Sequence, residues 1–223
     1  MKPTPHHERR SRFRLAWVYP FAVYAVLFLS PTEASLRAGL GFVFAGLLIR
    51  LWASGYLMKR NQLTTSGPYS LTRNPLYLGT LFLALGFTIV VRMFYLGPLF
   101  LIILAISYYS TIEQEDCENH KRFGEKFISY KKNVPALIPT CYHYRDGDRW
   151  PFSVRRMIRN KEYGRSLVIP AVMIFFYLKE ELVVERETAT IKMWGLAITA
   201  LILAASVFLV NACARKAQIT TLR

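Results

Sequence analysis

Gly67-Pro-Tyr-Ser-Leu-Thr-Arg-Asn-Pro-Leu-Tyr-Leu-Gly79 is a turn that runs straight into an apolar segment. Gly67 frees the backbone and Pro68 stiffens it. Arg73 then stands at the mouth of a helix opened by Asn74-Pro75. The positive end of that helix and the guanidinium together favour a carboxylate. Tyr77 lies one turn further in on the same side, and Gly79 lets a ligand or another helix come close. The same features also suit a loop whose Arg and Tyr simply anchor a helix at a membrane interface.

Composition decides for a membrane. Of 223 residues, 53% are hydrophobic and 19% charged, with mean hydropathy +0.23; soluble domains carry roughly 25% charge. The apolar residues gather in long runs, and the net charge of +15 lies between those runs. Basic residues so placed orient a chain in a membrane rather than bind nucleic acid. Three cysteines and no CxxC exclude a disulfide framework. Cys117 and His120 with Cys141 and His143 lack a standard zinc spacing, so no metal is expected.

Read in order, the chain predicts an all-α polytopic membrane bundle of about six transmembrane helices with a cytosolic cofactor pocket. Residues 1–14 are a basic tail. Leu15–Leu29 is a first apolar run, read as an anchor rather than a signal peptide because no clear cleavage site follows. Leu36–Leu57 is long enough to span. Arg50 inside it is either a functional residue, most simply one that binds the substrate, or a side chain snorkelling to the basic end of the run. Pro75–Val91 and Tyr95–Ile112 are joined by a few residues and should pair as an antiparallel hairpin. The Gly67–Gly79 stretch and Glu113-Gln-Glu115-Asp116 then lie at one membrane face. Residues 15–139 form the expected core, 140–165 a basic interfacial segment suited to an anionic leaflet, 166–214 two further helices, and 215–223 a tail. Leu167–Leu178 is short for a span and has a re-entrant alternative. With six spans, 23 Lys and Arg fall on one side and 5 on the other, so the larger set, both termini and the site should face the cytosol.

Glu113, Glu115 and Asp116 end the fourth run. A helix C-terminus already carries partial negative charge, so acids there call for a cation. Basic residues downstream would serve. A ligand with both a carboxylate and a cationic centre would match Arg73 and the acids together, and S-adenosylmethionine is such a ligand.

At these residues the sequence resembles the membrane-embedded isoprenylcysteine carboxyl methyltransferase and phospholipid methyltransferase families. The matching pieces are Gly67-Pro68-Tyr69, Arg73-Asn74-Pro75-Leu76-Tyr77-Leu78-Gly79, Glu115-Asp116, Phe123-Gly124 through Tyr130, and Val134-Pro135. The resemblance implies a cytosol-facing S-adenosylmethionine site and methyl transfer to an acceptor from the bilayer: an isoprenylcysteine-type carboxylate, a lipid amine or a thiol. It makes Tyr69, Arg73, Asn74, Tyr77, Gly79, Glu115, Asp116 and Tyr130 candidate cofactor contacts, with Arg73 and Glu115 in the catalytic roles. Asn74 stands where the family has histidine, Asp116 shortens the second acid, and Phe127 replaces a tyrosine. Membrane lipids and the lipophilic acceptor are the expected partners. Two other classes remain: an NADPH-dependent membrane reductase, which shares a similar Arg-x-Pro-x-Tyr-x-Gly helix start, and a non-catalytic protein that binds anionic lipid through 145–165.

Overall fold

The computed structural model describes residues 28–58, 62–160 and 162–179, with the isolated positions 20, 21, 24, 25 and 198. Among them the chain forms six α-helices, a short 3-10 turn and no strand. Most of the first apolar run, the last one and both tails lie outside the described residues.

Helix α1 (Glu33–Tyr56) starts in a capping box. The Thr32 hydroxyl accepts from the Ser35 amide, and the Ser35 hydroxyl accepts from the Thr32 amide. Ser35 also donates to the Val90 carbonyl at 2.8 Å, which ties the start of α1 to the end of α2 (Pro75–Val90). The two helices run antiparallel along a glycine seam. A Cβ added to Gly46 would lie 2.7 Å from the Gly79 carbonyl, and one added to Gly79 would lie 2.9 Å from the Gly46 carbonyl. Seven residues on, Gly39 and Gly86 repeat the arrangement. Each pair of backbones meets where a methyl group would not fit, the small-residue packing that membrane helices use in place of a hydrophobic drive. This is the service Gly79 performs: its open side is filled by α1.

Helix α3 (Leu96–Phe123) returns antiparallel to α2 after a turn in which Arg92 takes φ 57°. Thr88 faces Gly97 at one end and Tyr77 meets Tyr108 at the other. The fourth apolar run ends at Ile112, but the helix continues for eleven more residues. Its end is marked by His120, Lys121 and Arg122 in the last turn and by Gly124 at φ 54°. The acids therefore sit within the helix, and the expected clash with the negative helix end does not arise; the basic last turn occupies that end instead.

Helices α1 and α3 are long and apolar enough to cross a membrane. Both turn large apolar side chains outward: Leu40, Phe44, Leu48 and Trp52 on α1, Leu99, Ile102 and Ile106 on α3. Contiguous apolar surface on that scale does not face water, so the chain is a membrane protein. α2 is apolar but shorter.

Helix α4 (Glu125–Asn133) follows Gly124, and 134–153 is irregular up to α5 (Val154–Arg159). Within the basic segment expected over 140–165, helix forms at these six residues and again from Glu162, and four residues between Trp150 and Asn160 cap α1. The Trp150 indole N–H and Arg156 Nη1 donate to the Tyr56 carbonyl at 3.1 and 3.3 Å. The Ser153 amide donates to Gly55 O. Buried Asn160 donates to Ser54 O and Leu57 O at 2.8 and 3.1 Å. A helix end leaves its last carbonyls without partners, and here the downstream segment supplies them. Helix α6 (Glu162–Lys179) begins five residues before the apolar run. Its Phe176, 1% exposed, packs on Phe87 of α2 and joins a core with Leu36, Val43 and Val90.

The seam gives a sharp test. Gly86→Val would press on Val43 and the Gly39 carbonyl, and overpacking of this kind costs about 1–3 kcal/mol. Gly41→Val, on the open side of α1 with nothing within 4 Å, should leave thermal unfolding in detergent unchanged while Gly86→Val lowers its midpoint.

Candidate active site

The turn of the opening stretch is a 3-10 helix, Gly67–Ser70, with Gly67 at φ 60° packed under the Tyr56 ring. Its backbone is clamped by the segment after α4. The Arg73 amide donates to Pro135 O, the Thr140 amide to Leu71 O and the Tyr144 amide to Ser70 O. Side chains reinforce this. Thr72 donates to the carbonyls of Ala136 and Leu137, and Asn74 Nδ2 to Ala136 O at 3.1 Å. Further along, Ser66 and Thr65 donate to the Asp148 carbonyl. Val134-Pro-Ala-Leu-Ile-Pro139 is thus a strap with free carbonyls, which is what two prolines leave.

Tyr130 of α4 reaches in from the same side. Its hydroxyl donates to Tyr69 O at 2.5 Å, and its ring packs with Phe127, Val134 and Tyr144. Burial holds this phenol well above its usual pKa, with Arg73 opposing the shift, so it stays a neutral donor.

The two motif halves meet as the hairpin requires. Arg73 Nη1 lies 2.7 Å from Asp116 Oδ2, and both side chains are about nine-tenths buried. The same oxygen takes Lys131 Nζ of α4 at 3.0 Å. Arg73 Nε is buried without a hydrogen-bond partner among the described residues. The neighbouring acid points elsewhere: Glu115 Oε1 accepts from the Tyr77 hydroxyl at 2.7 Å. Successive helix residues diverge by about 100°, so the acids read as a pair serve two sides of α3. Asp116 is locked between two cations, and Glu115 has a neutral donor.

On the Asp116 side lies an open cleft of about 600 Å³ between α3 and α4. Glu113, Asp116, Cys117 and His120 line one wall; Phe127, Ile128, Lys131 and Lys132 line the other. Of the eight expected cofactor contacts, Asp116 is the one that lines it. Tyr69, Arg73, Asn74 and Tyr130 belong to the frame that holds Asp116, Gly79 packs on α1, and Tyr77 faces Glu115. Lys131 escaped sequence reasoning; its signal was its place next to Tyr130 on a short amphipathic helix. Among the described residues no group of three or more His, Cys, Asp or Glu gathers as metal ligands.

Arg50 turns into the α1–α2 contact. Its stem crosses the open face of Gly79, and Nη1 donates to Leu76 O at 3.2 Å and to Thr80 Oγ1 at 2.5 Å.

A helical membrane protein whose third-run helix start is bonded to an acid one helix further on is the class defined by fold and site together. Comparison with known proteins agrees: residues 39–126 match the phospholipid methyltransferase family. The match takes in most of α1 and all of α2 and α3. The chain is 34% identical over 133 residues to the cobalt-zinc-cadmium resistance protein CzcN of Cupriavidus metallidurans, covering 56% of this chain and 61% of that protein. It is 28% identical over 155 residues to the nickel-cobalt-cadmium resistance protein NccN of Alcaligenes xylosoxydans xylosoxydans, covering 66% of this chain and 72% of that one. No solved structure matches the chain.

Removing one member of a buried pair strands the other, at about 3–5 kcal/mol. Asp116→Leu should therefore destabilise strongly in thermal unfolding, and adding Arg73→Met should recover much of the loss. Equal or greater loss in the double variant would mean that the pair does not hold the two motif halves together.

Proposed function

We propose that the chain transfers a methyl group from S-adenosylmethionine to a lipophilic acceptor in the bilayer. It does so as a six-span protein with its site facing the cytosol. The observation that carries this reading is the buried Arg73–Asp116 pair. It joins the two halves of the motif at the wall of a cleft whose lining suits the three parts of that cofactor. Glu113 and Asp116 offer negative charge to a sulfonium, Lys131 and Lys132 offer cations to a carboxylate, and Phe127 and Ile128 offer apolar surface to the adenosyl group. The basic count on this side of the bundle supports the orientation.

The chemistry asks little covalent work of the protein. The acceptor's electron pair attacks the methyl carbon, the carbon–sulfur bond breaks, and its electrons stay on sulfur as a neutral thioether. A carboxylate or thiolate acceptor needs no base; an amine also gives up a proton. Holding the two reactants in line supplies most of the acceleration. Glu115, held by Tyr77 towards α2, would meet an acceptor that approaches from the side of that helix. The relatives' names state resistance to cobalt, zinc, cadmium and nickel of those proteins. A part in such resistance fits this reading where the methylated product is a component of the membrane that those ions meet.

Titration calorimetry of the detergent-solubilised protein tests the reading. It should show binding of S-adenosylmethionine and none of NADPH, and Lys131→Glu should weaken binding by at least about tenfold, equivalent to 1.4 kcal/mol. NADPH binding would establish the reductase reading. Binding of neither by folded protein would leave a lipid-binding membrane protein. With labelled methyl donor, the membrane fraction that takes up label identifies the acceptor.

A further inference from the structure

We infer that Arg50 is a positioning residue that acts on Glu115 through the start of α2 and Tyr77, a role in the reaction that does not require it to touch substrate. The inference rests on the methyl-transfer reading of the site. Three contacts carry it: Arg50 on Leu76 and Thr80, Tyr77 on the Tyr108 ring, and Tyr77 on Glu115. Arg50 crosses from α1 to α2 over Gly79, where any side chain would collide with Arg50 Cγ. Its Nη1 bonds the Leu76 carbonyl and the Thr80 hydroxyl, and Thr80 itself donates to Leu76 O at 2.9 Å. The first turn and a half of α2 is therefore held from the α1 side. The Tyr108 ring of α3 lies on that of Tyr77, with centroids 4.8 Å apart and planes 34° from parallel. Tyr77 donates to Glu115.

α2 starts at a proline, so its first amides have no ladder partners, and Asn74 makes no side-chain cap. Leu76 O is occupied by two donors from outside the ordinary helix ladder. One planar cation that reaches a carbonyl and a hydroxyl at once fixes both the height and the rotation of α2 where Tyr77 emerges. Both bonds come from one nitrogen, so a lysine ammonium would keep part of this hold as a point donor. Tyr77 is then sandwiched between a packed ring and a carboxylate, with its hydroxyl aimed at Glu115.

A double-variant cycle on full-length protein in nanodiscs tests this. Transfer of label from S-adenosylmethionine to total lipid extract is measured for Arg50→Met, Tyr77→Phe and both together. Each single change should lower the rate at saturating donor about tenfold, with the KM for S-adenosylmethionine changed less than twofold. The double variant should be no more than twofold worse than the poorer single one, since both changes break the same series. Arg50→Lys should recover part of the loss. Losses that multiply would overturn the inference, as would a loss confined to the donor's KM. The same cycle read by thermal unfolding separates this idea from the reaction it rests on. If the wild type transfers no label, methyl transfer falls, while non-additive unfolding midpoints uphold the series and additive ones overturn it.

Discussion

Everything in the site depends on how closely α1 and α2 approach. Gly39 against Gly86 and Gly46 against Gly79 bring two backbones to a separation that leaves no room for a methyl group. In a bilayer, apolar side chains gain nothing by leaving lipid for one another, so dispersion at short range and the exact fit of surfaces must hold helices together. The seam also sets register. Gly79 sits one turn into α2, and the residue a turn beyond Gly46 on α1 is Arg50. Contact at the glycines therefore delivers a guanidinium to Leu76 and Thr80 rather than to lipid. The same contact fixes both ends of the 57–74 loop, and so where Arg73 emerges.

The loop itself has almost no core of its own. Thr64, Thr65, Ser66, Ser70 and Thr72 are all buried, an arrangement that is costly unless each finds a partner. Four find carbonyls, Thr65 and Ser66 that of Asp148, Ser70 that of Gly67, and Thr72 those of Ala136 and Leu137, and Thr64 accepts from the Met58 amide. Hydroxyl donors on one segment and unpaired carbonyls on a proline-broken segment are complementary. The strap after α4 and the loop before α2 hold each other, and Arg73 is positioned by both its backbone and its side chain.

This division explains what could be read in the sequence and what could not. Helix starts were legible because Pro75 and the apolar runs mark them locally. That the Gly67–Gly79 stretch and the acids share one end was legible from topology, since a hairpin returns to its own side; that Arg73 bonds Asp116 itself, where a ligand's carboxylate was expected, was not. The length of α3 was not. Residues 113–122 carry enough charge to read as a loop, and only the basic last turn and Gly124 mark the true end. Gly79 was ambiguous by nature: the absence of a side chain serves a ligand or a helix equally, and which one depends on Gly46, 33 positions earlier in the chain. The capping of α1 by Trp150, Ser153, Arg156 and Asn160 was hidden for a related reason. The same residues have the composition of a membrane-surface helix, and nothing local says that four carbonyls far away in sequence need donors.

The adjacent acids differ in what they can offer a ligand. Asp116 is buried against a full cation and touched by a second, so the three groups together carry a net positive charge. A sulfonium approaching Asp116 would have to compete with Lys131, the more exposed and more easily moved of its two partners. A carboxylate approaching the same place would be drawn to Lys131 and Lys132. Glu115, among the described residues, makes no ion pair, and its hydrogen bond comes from the neutral Tyr77 hydroxyl. It lies off the cleft, on the α2 side of α3, so the helix itself separates the two adjacent acids: Asp116 belongs to the cleft and its lysine, Glu115 to α2.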